Sequence, residues 1–142
     1  MEEILNKYSS LNQLNVSRET FSDFEIFINM IIEKNSEINI ISKKNSNSED
    51  IRTRHIIDTA QAVDFIDLNF NTTSDLGSGG GMPGIITAIM LKNIKKEVKV
   101  NLYEKNRYKG SFLKDVSEKL KLNKRSIFAE MGDFFKFSWQ VI

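Results

Sequence analysis

Residues 75–84 are the part of the sequence best suited to bind a ligand. They read DLGSGGGMPG, with five glycines among the last eight positions. A short β-like stretch precedes this run and an apolar helical stretch follows it, which predicts a strand–loop–helix turn. Glycine lets backbone approach a ligand closely, and the N-terminus of the next helix offers N–H groups and a positive dipole end. The run therefore predicts a site for a nucleotide-like cofactor.

Two glycine patterns overlap in this loop. Gly79, Gly81 and Gly84 satisfy G-x-G-x-x-G, the dinucleotide pattern of nicotinamide enzymes. Asp75 followed by Gly77, Gly79 and Gly81 satisfies D-x-G-x-G-x-G, which is typical of S-adenosylmethionine-dependent methyltransferases. A carboxylate at Asp75 would attract the ammonium group of a methionine moiety and repel a pyrophosphate. This favours the second pattern.

Two further residues bear on the choice of cofactor. Pro83 precedes the last glycine of the dinucleotide pattern, where it would hinder the tight turn, but it suits a first helical turn. Glu104 ends the next predicted strand and could accept hydrogen bonds from ribose hydroxyls. Glu104 therefore supports binding of a nucleoside but does not distinguish a dinucleotide from S-adenosylmethionine. Glycine-rich loops are common, but the flanking acids and the proline together favour a cofactor site.

The composition excludes several classes of protein. A chain of 142 residues with 40% hydrophobic and 27% charged residues fits one globular domain. There is no cysteine and only one histidine, so no disulfide framework, cysteine nucleophile or metal site is expected. No apolar run is long enough for a membrane span, and the acidic start is unlike a signal peptide. We therefore expect a cytoplasmic protein.

Positive charge is concentrated in one part of the chain. Residues 92–125 contain twelve Lys or Arg and four Asp or Glu, a net charge of +8, whereas the whole chain has +1. Such a segment could contact a phosphate backbone, or it could be a solvated lysine-rich helix face. The charge alone does not choose between them.

Helices come first in the chain, and strands then alternate with helices. A weakly helical start is followed by an N-cap at Ser17 and a helix to about Asn35, with an apolar stripe facing a core. That stripe consists of Phe21, Phe24, Phe27, Ile28, Ile31 and Ile32. The later elements are predicted as a helix over 49–66, a strand over 72–76, a helix over 83–91, a strand over 97–103, a helix over 107–122 and a strand over 126–129. This order predicts an α/β fold with a parallel sheet and an N-terminal helical extension.

Four motifs in this order resemble the ribosomal RNA small subunit methyltransferase G family, also called glucose-inhibited division protein B. Residues 33–42 resemble its W-N…N-L-T-S segment, with departures at Lys34 and Ile41. Residues 54–59 resemble its R-H-I-x-D-S signature, and residues 75–85 its D-x-G-(S/T)-G-x-G-x-P-G-I loop. The fourth motif, E-x-x-x-x-K-x-x-F-L, is matched by Glu104, Lys109, Phe112 and Leu113. The resemblance extends over residues 20–123.

The resemblance implies a fold, a reaction and a substrate. The fold would be the class I S-adenosylmethionine-dependent, Rossmann-like methyltransferase fold, with residues 1–71 as an N-terminal helical region and 72–142 as a partial cofactor-binding domain. The reaction would be transfer of a methyl group from S-adenosylmethionine to guanine N7 of 16S ribosomal RNA. Guanine N7 carries a lone pair and no proton, so no general base is needed and no catalytic side chain is assigned. The partner would be 16S ribosomal RNA or the small ribosomal subunit, and the protein would be a monomer.

The same resemblance assigns site residues. A first group would bind the cofactor: Asp75, Gly77, Gly79, Gly81, Met82, Glu104, Gly132 and Asp133. A second group would face the RNA: Arg54, His55, Lys105, Arg107 and Lys109. Each has a simpler interpretation as well. His55 could be an ordinary core histidine, Arg54 could merely pair with Asp58, and Met82 could only fill space.

The resemblance fades after residue 123. A doubly wound sheet has about six strands, and three are visible here. We therefore expect a C-terminally incomplete fold, inactive by itself, in which Phe112, Val116 and Leu120 are half covered. Two alternatives remain open: a truncated remnant that binds RNA or nothing, and a nicotinamide-dependent oxidoreductase that uses the overlapping dinucleotide pattern.

Overall fold

The computed structural model describes residues 2–14, 16–67, 69–92, 98–122 and 128–130. The chain begins with helix α1 (Glu2–Lys7) and a 3-10 helix over Ser9–Leu14, followed by α2 (Arg18–Asn35). After a 3-10 turn at Lys43–Asn45, the helical segment α3 spans residues 48–65. Strand β1 (Thr72–Leu76), helix α4 (Gly84–Lys92), strand β2 (Lys99–Tyr103), helix α5 (Arg107–Lys119) and strand β3 (Phe128–Glu130) follow. The predicted element order is therefore confirmed.

The three strands form one parallel sheet in the order β1-β2-β3. Thr72 pairs with Lys99 and Leu76 with Tyr103, so β1 and β2 end at the same level. Tyr103 in turn pairs with Glu130 of β3. Helices α4 and α5 connect successive strands, as parallel pairing requires. A mixed α/β fold with its carboxyl strand ends together at one edge is the result.

Helix α2 packs against both crossover helices. Its N-cap is Ser17, as predicted, with the hydroxyl accepting from Thr20 N–H at 3.4 Å. The rings of Phe27 and Phe112 stack with centroids 6.4 Å apart and join α2 to α5. The predicted apolar stripe is buried except at Ile32, which is 38% exposed because it lies at the edge of the packed face.

One hydrophobic core extends from Tyr8 to Leu122, across the boundary predicted at residue 71. Helix α4 is buried nearly all round, since it lies between β2 on one side and α2 and α3 on the other. Phe112, Val116 and Leu120 are only 2%, 0% and 1% exposed. The expectation that they are half covered is wrong, because α2 packs over this face of α5, with Phe27 stacked on Phe112. The boundary itself stays a prediction.

Helix α5 ends earlier than predicted. It stops at Lys119 rather than at residue 122, since Lys121 adopts a left-handed conformation with φ 55°. Leu122 N–H donates to the Ser117 carbonyl at 2.8 Å, and Lys121 N–H donates to the Glu118 carbonyl at 3.1 Å. This pair of bonds is a Schellman motif, which satisfies the last carbonyls of the helix.

Helix α3 is irregular along its length. Ile51–Ile57 form a π-helical stretch between short α-helical turns, and Gln61–Phe65 end the segment as a 3-10 helix. A helical segment lies where a single helix was predicted over 49–66, but it is not one regular α-helix. No helix among the described residues is both long and apolar enough to cross a membrane.

Candidate functional site

The glycine-rich loop is held by hydrogen bonds to the end of β2. The N–H groups of Gly77 and Ser78 both donate to the Tyr103 carbonyl at 2.9 Å. The Ser78 hydroxyl donates to the Asp75 carbonyl at 3.1 Å, and Gly81 N–H donates to the Ser78 carbonyl at 2.8 Å. A loop with this many fixed backbone groups presents a defined surface at the carboxyl edge of the sheet.

The glycines of this loop fall into two kinds. Gly77 and Gly79 have φ +78° and +54°; a Cβ on Gly77 would meet nothing within 4 Å, and one on Gly79 only the Gly77 carbonyl at 3.9 Å. Gly80 and Gly81 are crowded by the protein itself, since a Cβ would lie 2.7 Å from Ile40 Cγ2 and 2.6 Å from Ile85 Cγ1, respectively. The first pair borders open space, so it leaves room where a ligand would lie.

Gly84 is required for packing against its own neighbours. A Cβ on Gly84 would overlap Leu102 and the Asp75 carboxylate. Gly84 opens helix α4, and its N–H donates to Asp75 Oδ2 at 2.9 Å. The last glycine of the dinucleotide pattern thus brings α4 close to the sheet.

Asp75 has a structural partner that the sequence did not indicate. Its carboxylate accepts the Gly84 N–H at the start of α4, where a negative charge is favourable. Partial burial raises the pKa of Asp75, and the nearby charge of Glu104 adds to this, although the Gly84 and Ser78 hydrogen bonds oppose it. Two carboxylates at adjacent strand ends therefore concentrate negative charge beside the glycine loop.

Glu104 joins the end of β2 to the loop. Its Oε2 accepts the Gly79 N–H at 2.7 Å, and its Oε1 accepts the Asn106 N–H at 2.7 Å. Each carboxylate oxygen has a second lone pair and can accept a further hydrogen bond. The side chain is half-buried, so ligand hydroxyls could still approach it.

The two carboxylates beside the loop suit a cationic, hydroxyl-bearing ligand better than a pyrophosphate. Open space lies at Gly77 and Gly79, where Glu104 contacts Gly79, and the Asp75 carboxylate lies against Gly84 at the start of α4. An ammonium or sulfonium would be attracted by these acids, whereas a pyrophosphate would be repelled. Met82 is half-buried and packs against the core, with its Cε 3.6 Å from the Cβ position of Gly80. Gly132 and Asp133 lie outside the described residues.

The residues predicted to face RNA divide between two places. Lys105, Arg107 and Lys109 lie at the start of α5, directly after Glu104. Arg54 and His55 lie in the π-helical part of α3, and within the described part of the chain no hydrogen bond or ion pair links them to the loop.

Arg54 pairs with a different acid from the one predicted. Its Nε lies 3.4 Å from Asp50 Oδ1, one turn before it, and not against Asp58. Asp58 instead caps the π-helical stretch, with its backbone N–H donating to the His55 carbonyl. Arg54 is largely exposed, and His55 is half-buried.

Sequence reasoning missed a buried arginine. Arg52 is 4% exposed and donates to both carboxylate oxygens of Glu25, at 2.7 and 2.9 Å. It also bonds Glu49 at 3.0 Å, and the Tyr8 hydroxyl donates to Glu25 at 2.7 Å. The signal was present, since Arg52 precedes buried Ile56 by four positions and shares its face of a helix. This network joins Tyr8, in the turn after α1, to α2 and α3.

The turn after α2 was also missed as a part of the site. Asn35 Oδ1 accepts the N–H groups of Ile40 and Ile41, at 2.9 and 3.0 Å, and so fixes the turn. Ile40 is 5% exposed and packs on Gly80. The segment that resembles the W-N…N-L-T-S motif therefore supports the glycine loop from outside.

Comparison with known proteins agrees with this geometry. Residues 20–134 match the family model described as rRNA small subunit methyltransferase G. A ribosomal RNA small subunit methyltransferase G from Pelagibacter ubique is 56% identical over 123 residues, which cover 87% of this chain and 58% of the relative. Relatives of the same name from Ruegeria pomeroyi and Bartonella tribocorum are 41% and 37% identical, over 75% and 94% of this chain and 50% and 62% of their own lengths.

The chain thus spans between half and about three fifths of the length of these relatives. The match includes the glycine loop, both strand-end acids and the start of α5. Because the family model covers well over half of the sequence, the chain belongs to the ribosomal RNA small subunit methyltransferase G family.

Proposed function

We propose that this chain forms the cofactor-binding part of an S-adenosylmethionine-dependent methyltransferase that acts on guanine N7 of 16S ribosomal RNA. The family supports a methyl-transfer reaction on ribosomal RNA, and the parallel sheet with crossover helices supports a class I, Rossmann-like arrangement. The observation that carries the cofactor assignment is the Glu104–Gly79 hydrogen bond at 2.7 Å, beside open space at Gly77 and Gly79.

Each residue around that space has a definite part in the proposal. Asp75 attracts the ammonium group of the methionine moiety while holding Gly84 N–H, and Glu104 accepts hydrogen bonds from the ribose hydroxyls. Gly77, Gly79 and Gly81 shape the loop, and Met82 offers an apolar contact. Gly132 and Asp133 complete the predicted cofactor set. When bound, the cofactor supplies a methyl group on a sulfonium, an intrinsically good leaving group.

The protein itself then needs only to position the base. Guanine N7 attacks with its own lone pair, so alignment of the reacting atoms accounts for most of the required rate acceleration. Arg54, Lys105, Arg107 and Lys109 would contribute positive charge toward RNA.

Three ligand titrations test the cofactor assignment. Isothermal calorimetry with S-adenosylhomocysteine should show saturable one-to-one binding, whereas NADH should give no heat beyond dilution. The converse result would favour the dinucleotide pattern and remove the methyltransferase assignment of this loop. A third titration with S-adenosylhomocysteine in the presence of NADH should be unchanged.

The substrate assignment has a separate readout. Small ribosomal subunits that lack the modification would be incubated with S-adenosylmethionine labelled in the methyl group and with a version of the protein extended to the full length of the relatives, because this chain by itself is expected to give no label. Label in N7-methylguanosine after nuclease digestion of 16S RNA supports the proposal. Label in transfer RNA, or at another atom of guanine, would keep the cofactor site and overturn the substrate.

A further inference from the structure

A second concave site lies beside the glycine loop. It is an open cleft of about 550 Å³ between the turn after α2 and the start of α5. Six of its residues carry the argument below: Asn35, Asn39, Lys43, Asn106, Tyr108 and Lys109. Its volume falls in the range of about 300–1,000 Å³ found for small-molecule sites, which is ample for one nucleotide. Glycine-loop residues do not line it in the described structure, so it is distinct from the space at Gly77 and Gly79.

Side-chain caps fix both walls of the cleft. On one wall, Asn35 Oδ1 accepts the N–H groups of Ile40 and Ile41. On the other, Asn106 Oδ1 accepts the N–H groups of Tyr108 and Lys109, at 3.0 and 3.1 Å. Because these bonds hold the backbone on each side, the cleft is preorganised and does not depend on a ligand for its shape.

The cleft presents an aromatic ring next to positive charge. Tyr108 is 70% exposed in the first turn of α5, beside Lys109, and exposed Lys43 faces them from the other wall. The one acid in the lining, Glu37, is already paired with Lys34 at 2.7 Å. The local charge is therefore positive. An exposed ring flanked by cations is the usual means of binding a base together with its phosphates.

Both walls connect directly to the proposed cofactor site. Ile40 packs on Gly80, and Asn106 N–H donates to the carboxylate of Glu104. The base that is methylated must reach the loop itself, where the methyl group would lie. A cleft that adjoins the loop without including it would suit the nucleotide next to that base.

We propose that this cleft binds a single-stranded nucleotide adjacent to the target guanine, with its base stacked on Tyr108 and its phosphates held by Lys43 and Lys109. The assignment of RNA rests on the proposed function. Sequence-specific recognition of RNA usually targets unstacked single-stranded bases, which stack on aromatic side chains. Arg54 lies on a different helix and has no part in this contact.

Fluorescence anisotropy with a labelled single-stranded RNA tests the stacking. Replacement Tyr108→Ala should weaken binding by about tenfold, the scale of one lost base–aromatic stack, whereas Tyr108→Phe should bind as wild type. Since Tyr108 is exposed, circular dichroism should show the same helix content in both variants. Equal affinity of the Ala and Phe variants, or no RNA binding by the wild-type chain, would overturn the inference.

A matched pair of double variants tests the phosphate contacts. Lys43→Ala with Lys109→Ala should reduce the slope of log affinity against log salt by about 1.4, since each phosphate contact to a single strand contributes about 0.7. Lys114→Ala with Lys119→Ala removes the same charge from exposed sites on α5 and should leave the slope nearly unchanged. Equal slope changes in both pairs would mean that RNA affinity depends only on the overall charge of the chain. That result would overturn the assignment of the cleft as an RNA subsite.

Titration with S-adenosylhomocysteine separates this inference from the proposed function. If Tyr108→Ala weakens RNA binding but not S-adenosylhomocysteine binding, the cleft is an RNA subsite. If the same variant loses S-adenosylhomocysteine affinity and keeps RNA affinity, the cleft belongs to the cofactor site and the inference fails. A wild-type chain that binds RNA through Tyr108 but no S-adenosylhomocysteine would overturn the cofactor assignment alone.

Discussion

The carboxylate of Glu104 accepts the backbone N–H of Gly79 at 2.7 Å, across 25 positions of sequence. This bond joins the carboxyl end of β2 to the glycine loop that follows β1. It also holds Glu104 at the border of the open space beside Gly77 and Gly79. The hydrogen bond therefore connects a strand end, the glycine loop and a half-buried carboxylate.

We predict that Glu104→Gln weakens S-adenosylhomocysteine binding by about 1–3 kcal/mol, the scale of a lost charge-assisted hydrogen bond. The amide keeps one acceptor oxygen, so it can accept only one of the two N–H groups, Gly79 or Asn106, that the carboxylate holds. Glu118→Gln, an exposed change on α5, is the control and should bind as wild type. Calorimetry measures both, and equal affinities for the two variants would separate Glu104 from the cofactor.

We predict that Asp75→Asn stabilises the protein at pH 7 while it weakens cofactor binding. Partial burial raises the pKa of Asp75, so the folded state holds its proton to higher pH than the unfolded chain does. Stability is therefore lost as pH rises through the raised pKa, and the ionised carboxylate at pH 7 carries the full penalty. Asn can still accept the Gly84 N–H but has no charge to bury.

Urea unfolding at several pH values checks this prediction. The higher free energy of unfolding of Asp75→Asn should be present at pH 7. It should shrink below about pH 4, where the carboxyl of the unfolded wild-type chain is also protonated. The control is Asp64→Asn on the exposed end of α3, which should have little effect. An Asp75→Asn variant less stable than wild type at pH 7 would show that the Gly84 bond outweighs burial.

We predict that Glu25→Gln destabilises the protein by about 3 kcal/mol at pH 7, because it leaves buried Arg52 with only the exposed carboxylate of Glu49 as a charged partner. Burial alone would raise the pKa of Glu25, but the hydrogen bonds from Arg52 and Tyr8 outweigh it and lower the pKa. The stabilisation is thus present above the ordinary glutamate pKa and is lost as pH falls through the lowered value.

Chemical denaturation of Glu25→Gln against wild type gives the measurement. The difference in free energy of unfolding between wild type and Glu25→Gln should narrow below about pH 4, as Glu25 protonates. Glu33→Gln, at an exposed position of the same helix, should change stability by a few tenths of a kcal/mol at most. Similar losses in the two variants would mean that the network with Arg52 and Tyr8 contributes no special stability.

We predict that Lys121→Gly stabilises the protein by about 1 kcal/mol. Lys121 occupies the left-handed position of a Schellman motif with φ 55°, which glycine adopts without strain. The same change at exposed Lys114, in the middle of α5, should instead destabilise the protein by about 1 kcal/mol. Thermal unfolding of both variants measures the two changes in stability. A loss of stability in both variants would contradict the left-handed geometry at the end of the helix.

Local patterns in the sequence were sufficient to predict much of the fold. Strand β1 has the predicted bounds 72–76, and the predicted alternation gives Val100 and Leu102 on the buried face of β2, with Val98 buried just before the strand. Both follow from the period of the strand and from the glycines that end β1. The N-cap at Ser17 is equally local, since the hydroxyl bonds a backbone group three residues away.

These local patterns could not predict contacts between residues that are far apart in the sequence. The partner of Arg52 is Glu25, 27 positions earlier, and a charged residue is ordinarily predicted to be exposed. The choice of Asp50 over Asp58 by Arg54 was likewise open, because both are four residues away on a helix. At the site, the glycines and acids were predicted as a set, but the Glu104–Gly79 bond depends on the register of two strands.

The most direct test of the cofactor site is calorimetric titration of wild type and Gly79→Val with S-adenosylhomocysteine. Gly79 has φ +54° and borders open space, so a valine side chain would enter the ligand position. Gly79→Asn, which tolerates a left-handed backbone, controls for strain in the loop, and Ala62→Val controls for an added branched side chain at an exposed site. We predict one-to-one binding by wild type and Ala62→Val, and none by either Gly79 variant, with helix content unchanged. Equal binding by wild type and both Gly79 variants would contradict the placement of the cofactor over this loop.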